Sequence, residues 1–189
     1  MRLISWAATR LIEVWVEKEE TWPAKLLEEF QSNREKVEKS HKIGGRWENQ
    51  YLDIDDVPSA REPMRLARNL GKEVLGTQSV ILFDSLAGSQ NPNPPFWFNA
   101  ASPGERTGVH DHAHLSKLSA VAYLQAEENS GDLFFQMSGF KDLFIKPEVG
   151  KMVIFPPNLR HGVHENKTTQ ERISFAFNLF PFPLMHEEL

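Results

Sequence analysis

Hydrophobic and polar positions divide the chain into two textures. Residues 11–16 (LIEVWV) alternate and are rich in β-branched and aromatic types, the pattern of a first strand. From Trp22-Pro23 to about residue 39 the period changes. Leu26, Leu27, Phe30 and Val37 recur near helical spacing among Glu and Lys, which predicts a helix with a solvated charged face. Residues 41–56 hold Gly44-Gly45 and read as a loop with a short strand. Ser59 is placed to cap a second helix, with Pro63 in its first turn, Gly71 or Gly76 near its end, and Met64, Leu66, Leu70 and Val74 on its buried side.

From Gln78 onward the pattern is strand, turn, strand. SVILFDS, FWFNAA, LSAVAYL, DLFFQM, DLFIK, KMVIFP, a segment around His161 and RISFAFNLF are short apolar or alternating runs. Turn residues punctuate them: Asn91-Pro92-Asn93-Pro94-Pro95, Ser102-Pro103-Gly104, Asn129-Ser130-Gly131, Ser138-Gly139, Pro147-Glu148-Val149-Gly150 and Pro156-Pro157-Asn158. Short strands at such spacing predict a mostly β sandwich or barrel, its edges managed by closure or by double sheets, with helices covering one sheet. No internal repeat or linker divides the chain. The expectation is one domain over residues 1–189, in which 1–77 (a strand and helices) pack on a core of 78–180.

The last strand separates its faces. Ile173, Phe175, Phe177 and Leu179 fall on an apolar face, and Arg172, Ser174, Ala176 and Asn178 on a polar or small one. Between apolar strands, the polar face is expected to look into a wet cleft.

Composition narrows the chemistry. The chain of 189 residues has 13 Phe and 5 Trp, enough for an aromatic core, and a net charge of −5, with a pI near 5.8. It has no Lys/Arg block of the kind a general nucleic-acid binder carries, so the charge argues against nucleic acid as a partner. It has no cysteine, which excludes disulfides and thiolate metal sites, so any metal uses His and oxygen ligands. Arg10 and Glu13 interrupt the N-terminal apolar run, which therefore reads as an ordinary first element and not as a signal peptide. No stretch approaches the ~18 uninterrupted apolar residues of a membrane span. The expectation is a soluble, cytoplasmic protein with no membrane partner.

The chemistry concentrates at His110-Asp111-His112-Ala113-His114, which holds three of the seven histidines in five residues. Residues two apart on a strand sit ~6.6 Å apart on one face, close enough for two imidazoles to tilt onto one ion at the ~2.1 Å of a metal–nitrogen bond. His110 and His114 lie about twice as far apart and cannot both join on a straight strand. The pair is therefore His110 with His112, or His112 with His114. His161, after KMVIFP and a Pro-Pro-Asn turn, is the best third ligand. His164 should face the other way, Asp111 points to the opposite face from its neighbours, and His41 and His186 read as structural or exposed. Arg172 follows His161 by eleven residues. A buried arginine needs an anion, either an internal carboxylate or that of a ligand, and its planar fork matches a carboxylate. Ser174 shares its face and can donate once more. A dicarboxylic keto acid would chelate the metal at one end and meet Arg172 and Ser174 at the other.

These residues resemble the iron(II)- and 2-oxoglutarate-dependent dioxygenases, most of all their bacterial and phage branch. Four pieces of residues 96–180 carry the likeness in order: PFWFNAASPGERTGVHDHAHLSKLSAVAYL, NSGDLFF, KPEVGKMVIFPPNLRHGVHEN and ERISFAFN. The resemblance implies a double-stranded β-helix, a cupin-like jelly roll. It implies Fe(II) as cofactor and 2-oxoglutarate and O2 as co-substrates. The reaction would release succinate and CO2 and hydroxylate a second substrate, whose identity the sequence leaves open together with the oligomeric state. Position by position, His110 matches the first metal ligand and His161 the distal one. Arg172 matches the anchor for the far carboxylate of 2-oxoglutarate with Ser174 beside it, and Asn99 a pocket asparagine. His112 stands where the wider superfamily has Asp or Glu, the third member of the usual two-His-one-carboxylate triad. Two other readings follow from the same residues. One is a three-histidine cupin-like dioxygenase that uses no keto acid, favoured if Arg172 pairs with an internal carboxylate. The other is a non-catalytic jelly-roll module holding zinc or nickel in a closed, four-ligand sphere.

Overall fold

The computed structural model describes residues 1–17, 19–43, 46–85, 93–112 and 116–184. Gly44, Gly45, Asn91, Pro92, His114 and His186 lie outside the described residues. The strands are β1 (Arg2–Trp6), β2 (Thr9–Trp15), β3 (Glu38–Ile43), β4 (Arg46–Tyr51), β5 (Phe96–Ala101), β6 (Thr107–His110), β7 (Leu118–Gln125), β8 (Leu133–Gln136), β9 (Leu143–Ile145), β10 (Lys151–Phe155), β11 (Arg160–Val163) and β12 (Arg172–Leu179). The helices are α1 (Trp22–Ser32) and α2 (Arg61–Leu75). The strands form two sheets, an eight-stranded one in the order β1-β2-β10-β7-β12-β5-β4-β3 and a four-stranded one in the order β6-β11-β8-β9. All pairings are antiparallel. This is a β sandwich, as the strand spacing predicts, and it is the jelly roll that the resemblance implies.

Alternation along each strand of the large sheet sends its two faces into two different environments. On the outer face Ile12, Phe96, Phe98, Met152, Ile154, Phe175 and Phe177 bury against Trp22, Leu26 and Phe30 of α1 and Met64 and Ala67 of α2. Phe98 stacks on Phe30 at 4.2 Å between ring centroids and meets Phe175 at 5.1 Å. Between the sheets, Leu11, Val153 and Phe155 of the large sheet meet Leu133, Phe135, Ile145 and Leu159. The helices thus satisfy the apolar face of the central strands, which frees the inner face of β12 and β5 to carry polar groups.

Several boundaries differ from those the sequence predicts. A strand, β1, precedes the expected first one. The turn between them uses Ala7 and Ala8, both with positive φ (47° and 62°), where the usual Asn-Gly signal is missing. Helix α1 stops at Ser32, because Asn33 closes it: its side chain donates to the carbonyl oxygens of Glu29 and Asp56. Residues expected in its last turns and in the following loop form the β3–β4 hairpin instead, with Ser40 opposite Asn49 and Lys42 opposite Trp47. Ser59 does not cap α2. It precedes the helix in a 3-10 turn, and its hydroxyl donates to Glu29. The helix ends at Gly76 in the left-handed region, while Gly71 lies buried against Leu118. SVILFDS is not a strand. Only Val80 makes a bridge, to Phe180.

Truncation of Phe98 removes a fully buried ring from between α1 and the central sheet. Phe98→Ala is expected to lower unfolding free energy by about 3–5 kcal/mol, read as a drop in the urea midpoint with little change in slope.

Candidate metal centre

β6 and β11 pair with His110 directly opposite His161. Their rings lie 4.5 Å apart between centroids. His110 is the last residue of β6, so the His-rich stretch does not continue as the strand that alternation predicts. The chain leaves the sheet, and the His112 amide donates to the carbonyl oxygen of Pro157 at 2.7 Å. That turn brings the His112 ring back to 4.9 Å from His110 and 5.1 Å from His161, leaning on Trp97 at 5.4 Å. One nitrogen from each of the three rings lies within 4.8 Å of the others, and among the described residues no carboxylate joins them. The predicted trio is therefore brought together, although His112 arrives by a turn and not by strand periodicity.

The orientation of two of the rings is set by the backbone. Nδ1 of His110 lies 2.8 Å from the carbonyl oxygen of Gly108, and Nδ1 of His161 lies 2.8 Å from that of Leu159. A carbonyl can only accept, so each Nδ1 carries a proton and donates. This is the support that metal-bound imidazoles characteristically have. Burial pushes the pKa of both His112 and His161 down to about 3, and the neighbouring histidines push in the same direction. Both rings are neutral at pH 7, the form that binds a metal. Three imidazoles with converging nitrogens fit a divalent transition ion.

The polar face of β12 continues away from the histidines. Ser174 pairs in register with Asn99 on one side and Tyr123 on the other. Ser174, Asn99, Ala176 and Asn178 line one chamber with the three histidines. As it stands the chamber is narrow, about 50 Å³, the room of one or two waters, so a five-carbon diacid enters only if lining side chains turn aside. Thr107 and Val163 wall both this chamber and an open cleft of about 1100 Å³, which is also lined by Arg46, Glu105, Arg106, His164 and Lys167. Asn99 is where the sequence predicts a pocket residue. Its amide is engaged by neighbours, accepting from Arg46 at 2.6 Å and donating to the carbonyl oxygen of Glu48 at 3.0 Å.

Arg172 is 1% exposed. Its Nη1 donates to the carbonyl oxygens of Ser130 and His164, while Nη2 is buried without a partner. Among the described residues no carboxylate stands within ion-pair distance of it. Burial lowers its pKa to about 10, with Tyr123 opposing that shift, and the guanidinium remains charged at pH 7. Tyr123, fully buried, also leaves its hydroxyl without a partner, and burial pushes its pKa up. An unpartnered guanidinium nitrogen and an unpartnered phenol on neighbouring strands are the complement of a carboxylate. Tyr123 is a residue that sequence reasoning missed. Its spacing from Ser119 along β7, four residues on a period of two, could have placed it on the cavity face. Of the other histidines, His164 stacks on Phe134 at 4.6 Å away from the trio, as expected. His41 is exposed on β3 beside Ser40 and Asn49.

Residues 95–178 match the model of a family described as "Putative 2OG-Fe(II) oxygenase". No curated protein matches the sequence. Among solved structures, the non-heme alpha-ketoglutarate-dependent epimerase SnoN from nogalamycin biosynthesis is similar over 90% of this chain and 76% of its own, at 14% identity and a TM-score of 0.69. A prolyl hydroxylase from Trichoplax adhaerens, solved with a hypoxia-inducible-factor peptide, is similar over 90% and 83%, at 11% identity and a TM-score of 0.65. A Pseudomonas putida prolyl-4-hydroxylase is similar over 92% and 94%, at 15% identity and a TM-score of 0.61. At these identities the structures establish the shared fold. The family match covers the stretch that holds every candidate site residue.

Gly131 tests the cradle around Arg172. It sits at φ 106°, and a Cβ there would lie 2.1 Å from the carbonyl oxygen of His164 and 2.6 Å from Nη1 of Arg172. Gly131→Ala is expected to cost at least ~2 kcal/mol of stability by chemical denaturation, whereas Gly139→Ala, where nothing is met, costs only the strain of its positive φ.

Proposed function

We propose that His110, His112 and His161 hold the iron, and that Arg172, with Ser174 and Tyr123, anchors the far carboxylate of 2-oxoglutarate. When bound, iron and 2-oxoglutarate supply the oxidation: O2 hydroxylates a C–H bond of a second substrate while the keto acid becomes succinate and CO2. The chain's own residues do the rest. The three imidazoles orient the ion, with His110 and His161 fixed through their Nδ1–H donors. Arg172 neutralises the carboxylate in a site from which bulk water is excluded, and Asn99 shapes the wall of the chamber. The open cleft beyond Thr107 and Val163 admits the second substrate. The strands and helices of residues 1–77 act with the jelly roll as one unit.

The observation that carries this reading is the buried Arg172, which among the described residues has a free donor and no carboxylate beside it. A three-histidine dioxygenase without a keto acid has no use for such a cation, and an internal partner would favour it. A structural zinc or nickel site calls for a fourth protein ligand, and the converging set among the described residues has three members. The third histidine leaves the ion with one more unit of positive charge than a two-His-one-carboxylate set. That strengthens its pull on the anionic keto acid and makes the centre more electrophilic. The sequence has no cysteine, and among the described residues no helix is long and apolar enough to cross a membrane.

Removal of Arg172 deletes charge-assisted hydrogen bonds to the ligand, worth about 3 kcal/mol. Arg172→Ala is therefore expected to raise the KM for 2-oxoglutarate ~100-fold with metal content unchanged, and Arg172→Lys to restore little of it. Tyr123→Phe should cost roughly 1 kcal/mol, a several-fold rise in the same KM, and His161→Ala should abolish metal binding. Succinate release by the iron-loaded protein is the readout. Protein that neither binds 2-oxoglutarate nor converts it with any of a panel of substrates contradicts the reading.

A further inference from the structure

β6 is the edge strand of the small sheet, so the amides on its outer side have no strand to pair with. An exposed edge beside a metal ligand invites both slippage and foreign pairing. Here the β4 strand of the β3–β4 hairpin covers it. Glu48, 3% exposed, accepts a hydrogen bond from the Gly108 amide at 3.1 Å. Gly108 is in turn the residue whose carbonyl oxygen receives Nδ1–H of His110 at 2.8 Å. Arg46 holds the carboxylate side of this arrangement. Its side chain is 8% exposed, with Nη1 3.7 Å from Glu48, Nε 3.1 Å from Glu105 and Nη2 2.6 Å from Asn99. It also donates to the carbonyl oxygens of Ala100 and Arg106. A buried acid and a buried base thus tie β4 to β5, to the β5–β6 connection and to β6 itself.

We propose that Glu48 is a positioning residue for the metal centre. It fixes Gly108, and Gly108 fixes the ring of His110. This rests on the reading of His110 as a metal ligand and extends it to a hairpin outside the matched region 95–178. The arrangement is asymmetric. Nδ1–H of His161 is held by the carbonyl oxygen of Leu159, a residue of the turn whose own amide donates to the carbonyl oxygen of Pro156, so it provides an internal control. Simple edge protection would need an acceptor anywhere along β6. The positioning role needs it at Gly108.

Co(II) titration of the full-length apo protein, followed by its ligand-field absorption and by calorimetry, tests the proposal. Glu48→Ala is expected to weaken Co(II) binding about 10- to 100-fold, the loss typical of a removed outer partner. Glu48→Gln, whose amide oxygen still accepts from Gly108, should recover most of it. In proton NMR of the Co(II)-loaded protein the exchangeable Nδ1–H signal of His110 should move or vanish in Glu48→Ala, and that of His161 should stay. A folded Glu48→Ala protein with wild-type affinity and an unmoved His110 signal overturns the proposal, as does failure of Glu48→Gln to recover binding. If Glu48→Ala does not fold, hydrogen exchange of the Gly108 amide in the wild type decides. Protection that deepens on Co(II) loading supports the role, and exchange at the rate of an open amide overturns it. His110→Ala with undiminished affinity would instead remove the reading of His110 as a ligand.

Discussion

The antiparallel register of β6 against β11 governs the site. It sets His110 opposite His161 and aims both rings into the space between the sheets. A slip of one residue would send one ring to the outer face. The register is pinned from both sides. On one side β11 pairs with β8, with His161 opposite Phe135, and Gly162 leaves the room that the Phe134 ring occupies, 2.8 Å from where a Cβ would stand. On the other side, β6 is held by the β4 hairpin through Glu48 and Arg46. The third ring needs no register. His112 is delivered by a turn whose amide is tied to Pro157.

The second constraint is the price of burying charge. Arg172 is desolvated and, among the described residues, answered only by backbone carbonyls, an arrangement that costs several kcal/mol unless an anion completes it. The large sheet tolerates this because its outer face is densely packed: Phe96, Phe98, Phe175 and Phe177 bury fully against one another and the two helices. One strand, β12, thus contributes Ile173, Phe175, Phe177 and Leu179 to the apolar core and Ser174, Ala176 and Asn178 to the chamber. On the proposed reading, His112 in place of a carboxylate fits the same logic, since the ligand set would carry no negative charge of its own and the ion and Arg172 would both meet the anionic co-substrate.

Much of this was legible in the residues. The strands from residue 96 onward follow from period-two alternation and punctuating turns. The two faces of β12 are visible in RISFAFNL, and the histidine trio follows from the resemblance, since spacing alone left His110 with His112 and His112 with His114 both open. What was hidden depends on tertiary context. The Ala7-Ala8 turn lacks turn chemistry, and the β3 segment EKSHKI has no intrinsic strand signal until β4 pairs with it. Arg46 and Glu48 look like surface charges in a segment rich in polar residues, and only folding buries them against one another. Tyr123 sits in a run that reads as pure core. The apolar run SVILFDS failed for the opposite reason: it has the composition of a strand but, apart from Val80, no neighbour to pair with.

The central claim is one ion on three imidazoles with a keto acid stretched from it to Arg172. A crystal structure of the anaerobic protein soaked with Fe(II) and 2-oxoglutarate tests it most directly. The account predicts a single ion bound by the free ring nitrogens of His110, His112 and His161, and the far carboxylate of the keto acid bonded to Nη2 of Arg172 and the hydroxyl of Tyr123. An ion that lacks one of these rings or gains a fourth protein ligand, or a keto acid bound away from Arg172, would contradict it.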